Sequence, residues 1–374
     1  MSNWYPQQIL QEPGVRMSAT ERQTILSKFP PPDENNQIYA DAIFEGGGVR
    51  GVAFLGALRC CSDLGIRWRK LAGTSAGAIT AAVLATDLSI DDLEELLGQL
   101  DYNIFLTQKN SPLILNGDPA DDLQSPAWTL LFLTISRQMG EYSSQPFRQW
   151  LEATLAKGHL HTFADVKQLV KDRELKVVIS NLSRGEMLVI PDDLHRRESA
   201  DSDALYEELQ LKSAEDFSVA EAVRLSMSIP LFFEPGKLGN DLIVDGGILS
   251  NFPLWIYDRQ SGSTPVAPRW FTFGFRLVDT GIENQMKINS PVSMLSAMFT
   301  TMMKARDRYH QREMDKGRVI NIDVTEAGVT TTDFHLDAAS KANLYRLGYL
   351  YTKRFFLSSN FSWEKHLKAR GFGE

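Results

Sequence analysis

From residue 38 onward, short apolar runs alternate with longer stretches whose apolar positions recur at helical spacing, and this alternation predicts the elements of the fold. YADAIFE (39–45) reads as a strand. VRGVAFLGALRCCSDLG (49–65) follows as a helix in spite of its glycines, with Gly65 placed to cap it. IRWRKLAG (66–73) predicts a second strand, and SAGAITAAVLAT (75–86) a helix that is apolar all round and therefore buried. Ser89 caps a further helix over 90–100, where Leu93, Leu96, Leu97 and Leu100 share one face.

The pattern loosens between about 101 and 165, which reads as an insertion over the sheet. It holds the apolar run AWTLLFLTI (127–135) and a helix with Phe147, Trp150, Leu151 and Leu155 along one side. Regular patterning returns with strands at ELKVVISNL (174–182), MLVI (187–190), LIVDGG (242–247), RWFTFGFRL (269–277) and RVINIDV (318–324). Between them SVAEAVRLSMS (218–228) predicts a helix opened by a capping box of Ser218 and Glu221. Strands alternating with helices predict an α/β domain on a mostly parallel, doubly wound sheet. That domain spans 38–325. The polar residues 1–37, ending in FPPPDENNQ, read as an irregular N-terminal arm, and 326–374 as a C-terminal helical extension.

Composition narrows the function classes. The chain of 374 residues is 43% apolar, ample for a large core, and its net charge of −8 argues against a nucleic acid polymer as partner. Cys60 and Cys61 are adjacent in an apolar helix and suggest neither a disulfide framework nor a metal site. No uncharged apolar stretch approaches the ~18 residues of a membrane span, so the expected setting is cytoplasmic, with peripheral membrane contact left open.

Gly46, Gly48 and Gly51 in FEGGGVRG (44–51) have the spacing of a dinucleotide-binding loop, which would also want an acid after the second strand. The chain has LAGTSAGAI (71–79) there instead. Gly73, Ser75 and Gly77 form G-x-S-x-G at a strand-to-helix turn, a nucleophile elbow that pushes the Ser75 hydroxyl out at a helix N-terminus. Adjacent parallel strands would bring this turn and the glycine loop to one sheet edge, where the backbone amides of Gly46, Gly47 and Gly48 can face a developing oxyanion. A serine needs a base. Of the six histidines none has a recognisable catalytic context, and His310 and His335 sit in polar surroundings. Asp245, leaving a strand into the turn made by Gly246 and Gly247, is the better candidate, although Asp-Gly there also reads simply as a turn.

In that order and on those elements, EGGGVRG, GTSAG and DGG resemble the patatin-like phospholipase family, and the likeness covers roughly 38–255, including SMSIPLFFEP (226–235). The resemblance implies the three-layer α/β/α patatin fold, with a mostly parallel central sheet and a helical insertion. It also implies a Ser75–Asp245 dyad without histidine, and Gly46, Gly47, Gly48 and Arg50 at the oxyanion hole. The implied activity is hydrolysis of fatty-acyl esters of glycerophospholipids through an acyl-enzyme, with no cofactor or metal and a transient membrane surface as partner. Other readings stay open at this level: a general esterase or lysophospholipase, a membrane-degrading effector switched by an activating protein or cyclic nucleotide, and a phosphate- or nucleotide-binding regulatory module. AWTLLFLTI is either a lid over an acyl-chain pocket or a buried part of the insertion. The Met-rich, basic stretch MLSAMFTTMMKARDRYHQR (294–312) is either a membrane-facing helix or core packing with a solvated end.

Overall fold

The computed structural model describes residues 5–106, 139–197, 202–258, 267–279, 317–331 and 333–372, with a few isolated positions besides. AWTLLFLTI, most of the Met-rich stretch and His310 lie outside the described residues.

Among the described residues an eight-stranded sheet forms the centre, built from β1 (Ile38–Phe44), β2 (Ile66–Thr74), β3 (Glu174–Asn181), β4 (Glu186–Ile190), β5 (Gly236–Leu238), β6 (Asp241–Asp245), β7 (Phe271–Val278) and β8 (Val319–Asp323). Its order is β8-β7-β1-β2-β3-β6-β5, with β4 paired to β3 beside this path. The first five strands of that order are parallel, while β4, β5 and β6 join antiparallel. The patterning therefore located the strands of the parallel half, and missed β5, which is only three residues long.

Successive strand residues face opposite sides of a sheet. Ala42 and Phe44, Leu71, Val177 and Ile179 join the main core, while Ile43, Ala72 and Val178 join a second cluster with Val189, Leu254 and Ile256. Burial on both faces explains why Ala42–Phe44, Leu71–Gly73 and Val177–Ile179 in these strands read as continuous apolar stretches. The main layer over the sheet comprises α3 (Val52–Leu64), α4 (Ala76–Ala85), α7 (Val219–Ser226) and α8 (Ala338–Leu357). Before them in the chain come α1 (Pro6–Gln11) and α2 (Ala19–Leu26), and between α4 and α7 lie α5 (Ile90–Gly98) and α6 (Gln145–Ala156). Ser89 caps α5 as expected, and Gly65 ends α3 at φ 83°. Ser218 caps α7, but the Glu221 carboxylate turns to Arg224 and Arg148 instead of completing the box.

The segments outside the family-like region are tied into this layer. Gly56 of α3 and Gly348 of α8 let the two backbones approach so closely that a β-carbon on either would strike a main-chain carbonyl of the other helix. The first 37 residues, expected as an irregular arm, carry α1 and α2, and both pack on α8. Arg346 holds Glu12 through two 2.7 Å hydrogen bonds, and the Lys28 ammonium donates to the carbonyls of Phe356, Leu357 and Ser358 at the C-terminus of α8. A cation there also meets the negative end of the helix dipole.

Candidate active site

β2 ends at Thr74 and α4 begins at Ala76, leaving Ser75 alone to reverse the chain. Its backbone adopts φ 53°, ψ −125°, a conformation that costs a non-glycine residue about 1–3 kcal/mol and persists only where its surroundings over-determine it. The glycines on either side are part of that determination. A β-carbon on Gly73 would run into the Gly77 carbonyl, and one on Gly77 into the Phe44 carbonyl at the end of β1. The Ser75 carbonyl accepts from the amides of Ala78 and Ile79, and its own amide donates to the Ser226 hydroxyl at 2.9 Å.

The sheet register brings the acid to this turn. β3 pairs through Val178 with Thr74 of β2, and through the next residue, Ile179, with Asp245 of β6. Because β4 occupies the other edge of β3 over Val177–Asn181, β2 and β6 lie along the same edge and run toward each other. The strand ends carrying Ser75 and Asp245 therefore meet. Close contact at the junction requires Gly246, whose β-carbon would strike the Val178 carbonyl. Asp245 is buried. Its Oδ1 accepts from the Gly247 amide at 2.7 Å, its Oδ2 makes no hydrogen bond of ordinary geometry, and its side-chain neighbour is the Ser75 hydroxyl. Burial pushes its pKa up to about 6, against the lowering effects of Ser75 and the Gly247 amide.

Register places the glycine loop alongside. Phe44 pairs with Gly73, so Gly46 comes level with Ser75, and a β-carbon there would lie 3.2 Å from the serine's own. The three glycines differ in role. The Gly46 amide donates to the Asn251 carbonyl at 3.0 Å, while Asn251 Nδ2 donates back to the Gly46 carbonyl at 3.2 Å, so this amide is engaged and does not face an oxyanion. Among the described residues no acceptor engages the amides of Gly47, Gly48 or Ala76. Gly48 has φ 57°, and a side chain there would meet the Thr331 carbonyl. The Arg50 contacts seen among the described residues are to the Gly47 carbonyl, with Nε at 3.5 Å, and to Asp279 at 3.9 Å, and not to Ser75. Behind the loop the buried Glu45 carboxylate accepts from the Leu277 amide at 2.7 Å and approaches Arg276 Nε at 3.4 Å.

A family model for patatin-like phospholipases matches residues 42–257. The chain belongs to that family. Membership places it among lipid hydrolases, and the matched span contains the glycine loop, the elbow and the DGG turn. The uncharacterized protein YqhO of Bacillus subtilis is 32% identical over 323 residues, which cover 85% of this chain and 98% of YqhO. A probable lipid hydrolase, 463L, of invertebrate iridescent virus 6 is 24% identical over 58% of this chain and 62% of its own length. Among solved structures, VipD from Legionella pneumophila shares the fold, with a TM-score of 0.50 and 19% identity over 88% of this chain and 69% of VipD. The patatin fold expected from the sequence is the fold observed.

Two side chains in this patatin-like site escaped the sequence reading. Ser226 opens the SMSIPLFFEP segment that the family likeness includes, and Asn251 follows the DGG turn; each acts on a residue far away in sequence, so no local pattern marks it. His335 is exposed, and His366, which is fully buried, accepts from the Thr272 amide on β7. Among the described residues no histidine bonds to Ser75 or Asp245. No helix among the described residues is long and apolar enough to cross a membrane.

Proposed function

We propose that this chain hydrolyses fatty-acyl esters of glycerophospholipids through Ser75 and Asp245, by way of an acyl-enzyme. The observation that supports this most is the buried Asp245 carboxyl beside the Ser75 hydroxyl, with one oxygen held by the Gly247 amide and the other without a conventional partner. An exposed aspartate is a feeble base. Raised to about 6, this one remains ionised at neutral pH yet holds a proton more readily than an exposed carboxylate.

Attack by Ser75 Oγ on the ester carbonyl passes the hydroxyl proton to Asp245 Oδ2 and puts negative charge on the carbonyl oxygen. The amides of Gly47, Gly48 and Ala76 are the donors with capacity to meet that charge, and Arg50, drawn to the Gly47 carbonyl, orients the Gly47–Gly48 peptide from the outer side. Collapse breaks the ester C–O bond, and the proton on Asp245 passes to the departing lysolipid oxygen. Water then attacks the acyl-serine, gives its proton to Asp245, and the fatty acid leaves as Ser75 recovers its hydroxyl hydrogen from the same carboxyl.

The test is incubation of the purified chain with phospholipids labelled at the sn-1 or sn-2 acyl chain, beside a fluorophosphonate probe. Wild type releases labelled fatty acid and is modified at Ser75, and Ser75→Ala does neither. Equal labelling of Ser75→Ala would exclude this serine as nucleophile. Release from simple soluble esters but from no phospholipid would favour the esterase reading.

A further inference from the structure

We infer that the Ser226 hydroxyl is the positioning group that holds the nucleophile in its strained conformation, and that it does so by occupying the Ser75 amide. This rests on Ser75 being the nucleophile, as proposed above.

Ser226 is the last residue of α7 and is fully buried. Its hydroxyl donates to the Val178 carbonyl at 2.6 Å and accepts from the Ser75 amide at 2.9 Å. A hydroxyl has one hydrogen, so the bond to Val178 fixes its direction and aims a lone pair at Ser75. Val178 is the residue of β3 that pairs with Thr74, immediately before the nucleophile. The hydroxyl thus spans the strand neighbouring the elbow and the elbow itself. The main chain of the same turn holds the acid, because the Ser228 carbonyl accepts from the Asp245 amide at 2.9 Å and the Ser226 carbonyl from the Gly246 amide at 3.2 Å. One three-residue segment, Ser226–Ser228, therefore grips both members of the dyad.

The chemical consequence concerns the oxyanion. With its amide committed to Ser226, Ser75 cannot contribute that donor, and the charge must be met by the glycine loop and the first amide of α4. Removing the hydroxyl would leave the Ser75 amide and the Val178 carbonyl without this partner at a buried position, and would free the amide to turn. Ser75 would then drift from the geometry that attack needs, while no other residue beyond the elbow is altered.

The experiment compares Ser226→Ala, Ser226→Thr and Thr80→Val. Thr80 is also buried, and its hydroxyl donates to the Ala76 carbonyl one turn into α4 without touching Ser75. Misplacing a reacting group by about 1 Å costs about 10²-fold in rate, so Ser226→Ala should lose on the order of 10²-fold in kcat and in the rate of fluorophosphonate labelling, with KM changed less than about threefold. Ser226→Thr, which keeps the hydroxyl, should recover most of that loss, and Thr80→Val should retain kcat within about threefold of wild type. The inference is overturned if Ser226→Ala labels at the wild-type rate, or if it and Thr80→Val lower kcat alike, since both results make the hydroxyl merely structural. Should Ser226→Ala not accumulate as folded protein, the folded Thr variant decides: a labelling rate as low as that of Ser75→Ala overturns the assignment. If wild type itself takes no label at Ser75, the proposed function fails first, and the two failures are separate.

Discussion

At the residue scale the decisive quantity is the free energy of one buried carboxylate. Holding Asp245 at about 6, where an exposed aspartate titrates near 3.8, costs the ionised fold on the order of 3 kcal/mol at pH 8. The sign follows from proton binding. Between 3.8 and about 6 the native state holds the proton and the unfolded state does not, so this residue's contribution to stability declines as pH rises through that window and stays low above it. Asp245→Asn keeps an oxygen for the Gly247 amide and removes the charge. Its melting temperature relative to wild type should therefore be higher at pH 8 than at pH 4, measured by calorimetry, while its turnover is abolished. On the proposed mechanism the carboxylate form is the base, so wild-type kcat/KM should rise with pH, with an inflection near 6, and then level off. A rise centred near 4, as for an exposed aspartate, would contradict the buried-base assignment. The DGG motif pointed to this acid, but its basicity comes from desolvation and could not be read from three letters.

Elements decide how the glycine loop responds to change. The sequence offered Gly46, Gly47 and Gly48 as equivalent oxyanion donors, but their surroundings differ. Gly46 is clasped by Asn251, Gly48 lies at φ 57° against the Thr331 carbonyl, and a methyl on Gly47 would meet only the Leu277 side chain, which can move. Gly48→Ala should therefore lower the melting temperature and activity together. Gly47→Ala should fold nearly as wild type, lose less activity than Gly48→Ala, and recover in the double variant with Leu277→Ala; absence of recovery would show that the methyl obstructs the oxyanion instead. The capping box of α7 teaches the same lesson. Ser218 does cap the helix, yet Glu221 is drawn to Arg224, three residues on in the same helix, and to Arg148 of α6, because charged partners outcompete a neutral amide.

For the whole molecule, the segments that bear no family motif complete the helical layer. α8 buries Leu344, Tyr345, Tyr349 and Phe356, and the first 37 residues close over it through Glu12, Gly14 and Lys28. Deleting 338–372 would expose the α3 face that meets α8 across Gly56, so the shortened chain should be insoluble or bind a hydrophobic dye strongly. Deleting residues 1–28 uncovers less apolar area, so that protein should remain folded with a lower melting temperature. A fully soluble, wild-type-stable chain without α8 would show that the helix is an appendage.

The sequence by itself determined the strands of the parallel half, the buried helix behind the elbow, and the two turns whose steric demands only small residues satisfy. Those are short-range properties, set by the space a β-carbon occupies and by the periodicity of burial, and they sufficed to resemble the right family. Only the tertiary structure decided that β2 and β6 share one edge of β3, which is what sets Asp245 against Ser75. It also decided that Ser226 takes the Ser75 amide and that Asn251 takes the Gly46 amide. These pairings join residues 151 and 205 positions apart, and the loss of water that raises the Asp245 pKa belongs to every layer packed around it, so no local pattern could carry either.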